Sequence, residues 1–227
     1  MSAVGETRSA RKHREILSAG TAAFIATGYD GTSMEEIATS AGVSKQTIYK
    51  HFADKERLFS EIVLATTERV EEVVALVLGT FAETHDLEKD FRQLGRRFLS
   101  AVMQPERLKL RRLVIASADR MPELGRVWYQ NGFERVLAAL ATSFGRLTER
   151  GVLRTKDPHL AANHFAGILL WIPVNEAMFT GNDKPKSDAE LDRLADAAVS
   201  AFLMAYGADL EKPRHRRWEI NLRGPGV

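Results

Sequence analysis

Between Ser44 and Lys55 the chain crowds lysines, a glutamine, hydroxyls, a phenol and an imidazole into one short stretch, at Ser44, Lys45, Gln46, Thr47, Tyr49, Lys50, His51 and Lys55. Glutamine and lysine can hydrogen-bond base edges, a threonine methyl can meet a thymine methyl, and tyrosine and histidine can reach phosphate oxygens. On a helix, Ile48 turns inward with Val43 and Phe52, and the polar residues spread over the outer surface. A seam this thin anchors a helix while leaving one side of it for contact. Lys55 would stand in the first turn of the following helix, where a cation opposes the helix dipole at a cost of a few tenths to about 1 kcal/mol. A phosphate at that helix start would turn the cost into a gain; the alternative is an exposed lysine offset by Glu56.

Other chemistries lack carriers. There is no HExxH, nucleophile elbow, phosphate loop or EF-hand spacing, and His159 and His164 lie too awkwardly apart to share a helix face. With no cysteine, disulfides and thiolate metal sites are excluded. We therefore expect no enzyme, no catalytic residue, no metal and no cofactor. The 227 residues are 44% hydrophobic and 27% charged, enough chain for a reader domain and a receiver domain with real cores. Net charge is only +2, but the cations gather at Arg8, Arg11, Lys12 and Arg14 and again at Lys45, Lys50 and Lys55, and local patches are what a groove meets. The charged N-terminus has no apolar signal core, and the longest apolar stretch, near Phe165 to Val174, is about half a membrane span. The expected location is the cytoplasm, away from membranes.

The elements that must position these residues read as helices from end to end, so the fold class is all-α. Ile16, Leu17, Gly20, Ala23, Phe24 and Thr27 mark a first amphipathic helix closed by Gly28. Thr32 or Ser33 can cap a second, short helix with Met34, Ile37, Ala38 and Ala41 inside, ending at Gly42. Ser44 caps the third, and Asp54 caps a fourth that runs towards Leu78. Two short helices separated by a glycine-started turn are a helix-turn-helix, in which the second helix enters the major groove. Further helices follow at Leu87 to Val102, from Pro105, from Leu124 to Leu147 with Gly151 as stop, and from Asp157-Pro158. A last one starts at the capping box Ser187 to Glu190 and ends before Gly207.

The run GTSMEEIATSAGVSKQTIYKHFADKERLF, preceded by ILSAGTAAFIATGYDG, resembles the DNA-binding domain of the TetR family of bacterial transcriptional regulators. The likeness covers about Arg8 to Glu68. It rests on Ile37-Ala38, Ala41-Gly42-Val43-Ser44, Ile48-Tyr49, His51-Phe52 and Lys55. It implies a three-helix DNA-binding domain over 8–68, with the helix-turn-helix at about 33–52, joined to a larger helical effector-binding and dimerisation domain over 69–207 and a basic tail over 208–227. It also implies that Ser33 and Met34 lie against the DNA backbone, that Lys45, Gln46, Thr47, Tyr49 and His51 make the main groove contacts, and that Lys55 meets phosphate. The region around Leu108 to Phe179 resembles the AefR-like subgroup. The function implied is a homodimeric, ligand-responsive repressor released from a palindromic operator in double-stranded DNA by a small apolar effector. The alternative is a helical small-molecule-binding protein whose helix-turn-helix is only structural.

For the receiver, the expected pocket residues are Phe98, Trp128, Phe133, His164, Phe165, Trp171, Asn175 and Met178. Aromatic and sulfur side chains on helical stripes are more often core than ligand box. Trp171 stands out because Pro173 follows it inside an apolar segment, where proline removes a helical hydrogen bond. A break there would either widen a cavity or simply end a helix. The two last long helices offer a dimer surface through Ala195, Ala198, Ala201 and Ala205 with Leu191, Leu194 and Phe202; an intramolecular core explains the same alanines, and the few base pairs one recognition helix can read favour the dimer.

Overall fold

A computed structural model describes residues 7–68, 70–81, 86–181 and 184–208. The helices are α1 (Arg8–Thr27), α2 (Met34–Ser40), α3 (Lys45–His51), α4 (Lys55–Glu68), α5 (Val70–Thr80), α6 (Leu87–Val102), α7 (Pro105–Ala116), α8 (Pro122–Trp128), α9 (Arg135–Glu149), α10 (Pro158–Thr180) and α11 (Asp188–Tyr206). Residues Tyr129–Glu134 join α8 to α9 as a π-helical stretch. Among the described residues the sole β pairing is an antiparallel bridge between Leu153 and Gly207. No described helix is long and apolar enough to cross a membrane. The basic tail from residue 209 onward, with Trp218, lies outside the described residues.

Local chemistry sets the helix starts. Ser33 caps α2 reciprocally: the Glu36 amide donates to the Ser33 hydroxyl at 3.2 Å and the Ser33 amide donates to the Glu36 carboxylate at 2.9 Å. That backbone donor holds the Glu36 carboxyl below its usual pKa. Ser44 caps α3 through the Thr47 amide, and Asp54 caps α4 through the Arg57 amide at 2.7 Å. Gly42 takes φ 64 in the turn between α2 and α3, a left-handed conformation that a side chain disfavours. Asp157 with Pro158, and Ser187 with Glu190, start α10 and α11 as their sequences imply.

Two apolar cores form. The first joins Ile16 and Phe24 of α1, Ile37 of α2, Ile48 and Phe52 of α3, and Leu58, Phe59 and Ile62 of α4 to Leu110, Val114, Met121 and Leu124 of α7 and α8. Gly20 lets α1 close on α4, because a Cβ there would meet Ile62 at 3.1 Å and Leu58 at 3.3 Å. The second core fills the space between α5, α6, α9, α10 and α11. At its centre Phe91, Phe144, Phe165 and Phe202 pack with ring centroids 5.1–5.9 Å apart. Aromatic pairs in this range add to burial through their edge-to-face quadrupoles.

Several expectations change at this level. Phe165 is fully buried in the aromatic cluster and lines no pocket; its position on the inner stripe of α10, between Ala162 and Leu169, is a core position. Pro173 is buried inside α10, which continues to Thr180 without a break. Leu191, Ala195, Ala198 and Phe202 are buried within the protomer, where α11 packs on α6, so the intramolecular reading holds for them. Ala201 and Ala205 lie further round α11, beside the exposed Met204. The fourth helix of the sequence reading is described as α4 and α5, on either side of residue 69, which lies outside the described residues.

Phe165→Ala should lower unfolding free energy by about 3–5 kcal/mol, since the aromatic cluster has no room to collapse around the lost ring. Urea denaturation followed by circular dichroism measures it.

Candidate nucleic-acid interface and internal cavity

Ile48 and Phe52 are completely buried and hold α3 by one edge. On the opposite side Lys45, Gln46, Tyr49 and Lys50 are exposed, and Tyr49 keeps 40% of its surface. These four therefore form one continuous polar face with Ser44 at its N-terminal end. Thr47 is half-buried, its hydroxyl 2.8 Å from that of Ser44. Lys45 forms an ion pair with Glu35 of α2, which raises the lysine pKa and lowers that of the carboxyl. Both partners are well exposed and the pair is screened by solvent, so a phosphate or a base edge can displace Glu35. Lys45 also stands 5.9 Å from the Tyr49 ring centroid.

His51 is half-buried at the C-terminal end of this face. Its ring lies 5.7 Å from that of His13. Burial first, then the charges of His13, Lys50 and Lys12, push its pKa below the usual 6.5. His13 stacks on Phe52 at 4.7 Å and approaches Glu61 at 3.3 Å, which ties α1 and α4 to the end of α3.

Three of the expected DNA-facing residues occupy different positions. Met34 is only 5% exposed and belongs to the core. Its spacing with Ile37, Ala38 and Ala41 already carries that signal. Ser33 is half-buried, with its hydroxyl committed to the α2 cap. Lys55 is half-buried as well, and its ammonium donates to the carbonyls of Tyr29 at 2.8 Å and Thr32 at 3.0 Å. It stands 4.4 Å from the Tyr29 ring centroid. The cation at the start of α4 is thus accounted for inside the protein: it braces the turn between α1 and α2. Arg120, beyond α7, reaches the same turn, donating to Asp30 at 2.6 Å and lying 5.6 Å from the Tyr29 ring.

The pocket residues separate into distinct places. Phe98, Trp128 and Phe133 line one cavity of about 100 Å³ with Thr66 of α4, Val70 and Val73 of α5, and Val136 and Leu137 of α9. Arg107 and Arg111 of α7 stand on its wall. Trp171, Asn175 and Met178 instead line an open groove between α7 and α10, where Trp171 is 71% exposed. His164 is on the surface of α10, its Nδ1 2.5 Å from the Tyr206 hydroxyl, beside a shallow depression. His164, Trp171, Asn175 and Met178 are therefore surface or groove residues, because the helix period turns them away from the stripe that carries Phe165 and Leu169. Arg111 was not singled out from sequence. The available signal was an arginine three residues from each of Leu108 and Val114, both buried. The π-helical stretch that presents Phe133 had no sequence signal we recognise; such stretches are common at functional sites. Among the described residues no cluster of histidines and acids is placed to hold a metal.

Residues 16–62 match the family described as bacterial regulatory proteins, tetR family, and residues 89–208 match the AefR-like transcriptional repressor, C-terminal domain. The solved structure of a TetR-family transcriptional regulator from Mesorhizobium loti MAFF303099 is 59% identical, with a TM-score of 0.82 over 89% of this chain and 100% of that one. The SmeT-triclosan complex is 26% identical, with a TM-score of 0.66 over 88% and 93% of the two chains. The flavonoid-responsive regulator FrrA is 25% identical, with a TM-score of 0.69 over 88% and 99%. The transcriptional repressor AcnR of Corynebacterium diphtheriae is 33% identical over 75 residues, which span 33% of this chain and 40% of that protein. With its N-terminal helix-turn-helix and its AefR-like C-terminal domain, the chain belongs to the TetR family of bacterial transcriptional regulators, which are DNA-binding proteins and not enzymes.

Proposed function

We propose that the protein is a cytoplasmic homodimeric repressor that leaves a palindromic operator when a small, largely apolar effector enters the cavity at Trp128. The observation that carries the DNA half of this reading is the outer face of α3, where Lys45, Gln46, Tyr49 and Lys50 are exposed while Ile48 and Phe52 are fully buried. The face fits a major groove. One short helix reads few base pairs, and a two-fold pair would read half-sites about 34–36 Å apart or more. Repression is supported by the AefR-like repressor match and by the likeness to AcnR.

The dimer surface we assign is the outer face of α10 and α11. Ile168, Trp171 and Ile172 of α10 and Met204 of α11 are all exposed, with Ala201 and Ala205 beside them. Exposed apolar surface on this scale marks an interaction site. The small residues would let a second copy approach closely.

Effector response is supported by where the cavity sits. Its wall includes Thr66 of α4 and Trp128 at the end of α8, while the N-terminal half of α4 shares the apolar core of the helix-turn-helix. A ligand that pushes on α4 and α8 would move the two recognition helices relative to each other. A coupling of about 1–3 kcal/mol changes operator affinity roughly 5- to 150-fold. The likeness to a triclosan complex and to a flavonoid-responsive regulator fits an apolar or aromatic effector.

Tyr49→Ala and Gln46→Ala should each weaken operator binding by about 1–3 kcal/mol with no change in melting temperature, whereas Lys55→Ala should lower both, because it strands two carbonyls. Fluorescence anisotropy on a selected operator, with a salt titration, reads the first effect. The log-log slope should be about −0.9 per neutralised phosphate, and a flat salt response would favour a ligand carrier whose helix-turn-helix is structural. Trp171→Glu should turn the dimer into a monomer in sedimentation velocity and abolish cooperative operator binding. A pH series tests His51. Its pKa is depressed in the free protein, and a nearby phosphate favours the imidazolium, so operator binding takes up a proton. Affinity should rise as pH falls through the window around and below 6.5, and His51→Gln should flatten that rise.

A further inference from the structure

We propose that Arg111 is an anion anchor, and that the cavity takes a small organic acid whose apolar body lies among Phe98, Trp128, Phe133 and Val136 while its carboxylate sits on the Arg111 guanidinium. This rests on the reading of the cavity as the effector site and sharpens it from an apolar effector to an amphiphilic acid.

Arg111 lines the cavity among side chains that are mostly apolar. Its guanidinium lies 5.5 Å from the Phe133 ring centroid, and among the side chains the structure describes it has neither a carboxylate partner nor a hydrogen-bond acceptor. Its neighbours differ in this respect. Arg107 donates to the Ala101 carbonyl at 2.9 Å, and Arg112 donates to the Ala177 carbonyl at 3.0 Å. Burial alone lowers the Arg111 pKa, with no acid to oppose it. Arginine stays protonated in proteins, so the half-buried guanidinium carries a charge that no described acid offsets. A carboxylate would meet its planar fork through two parallel hydrogen bonds.

Arg111 and Phe133 also line the open groove of about 760 Å³ beneath Trp171 and a hollow of about 250 Å³ beside Tyr129. The same pair therefore stands between the interior cavity and two openings. An acid arriving from the groove meets the cation before the apolar interior, and its body then slides past the Phe133 ring. Because Phe133 is carried by the π-helical stretch, displacing it would act on α8 and α9 together.

Isothermal titration calorimetry with 4-ethylbenzoate and its neutral counterpart 4-ethylbenzamide tests this on the full-length protein. The wild type should bind the acid about ten-fold or more tightly than the amide. Arg111→Met should bring the acid down to the amide's affinity and leave the amide unchanged, and Arg111→Lys should keep part of the preference. Equal binding of acid and amide by the wild type, or binding of neither, overturns the proposal without needing any variant to fold. Val136→Trp, which fills the cavity, should abolish binding of both, and unchanged acid binding in that variant would place the acid elsewhere and overturn the proposal. If the acid binds with the expected Arg111 dependence but leaves operator affinity unchanged, the anchor stands and the effector reading fails.

Discussion

The structure depends most on the apolar face of α4, which is shared between two sets of partners. Leu58, Phe59 and Ile62 complete the core under the helix-turn-helix, and that same core takes in Met121 and Leu124 from the beginning of α8. Burial of such side chains stabilises by about 1.5–3 kcal/mol each, so the reader and the first part of the receiver share one block of hydrophobic free energy. Helices α4 and α8 cannot separate without exposing it. Dense packing makes such a block shift between discrete arrangements in preference to bending gradually, and this is the property a switch needs.

Polar contacts refine what the apolar core holds. Lys55 and Arg120 both converge on the turn after α1, one through the carbonyls of Tyr29 and Thr32, the other through Asp30, and the Tyr29 ring lies within reach of both cations. The junction ties the start of α4 and the connection between α7 and α8 to one short loop. Its hydrogen bonds are directional where the hydrophobic contacts are not, so they select an orientation that burial alone would leave loose. The thin anchorage of α3 stands in contrast: the fully buried Ile48 and Phe52 hold it, and Lys45, Gln46, Tyr49 and Lys50 stay exposed on its outer side.

The sensing side follows a similar division. The aromatic cluster around Phe91 and Phe165 is buried and central, its rings packed against one another. The cavity lies at its periphery, where α5, α7, α9 and the π-helical stretch meet. There two arginines, Arg107 and Arg111, stand among the apolar lining residues. Placing the space at the junction with α4, away from the centre of the bundle, gives a bound molecule leverage on the DNA-binding helices at little cost to the core.

Local chemistry was enough to place most helix starts and stops, their caps and the outward face of α3, because caps, turn glycines and the 3.6-residue period act over a few neighbouring residues. Ser33 with Glu36, Gly42, Ser44, Asp54 and the Asp157-Pro158 start are all legible in that way. Only the tertiary structure decided which apolar residues are core and which line space: Phe98, Phe165 and Trp171 look alike in sequence, yet they end in a cavity wall, an aromatic core and an exposed surface. Their environments depend on which other helix passes over them, a non-local fact that no short window encodes. The same holds for Lys55, whose partners lie 26 and 23 residues away, and for Arg111, whose lack of an acidic partner among the described side chains depends on the assembled fold.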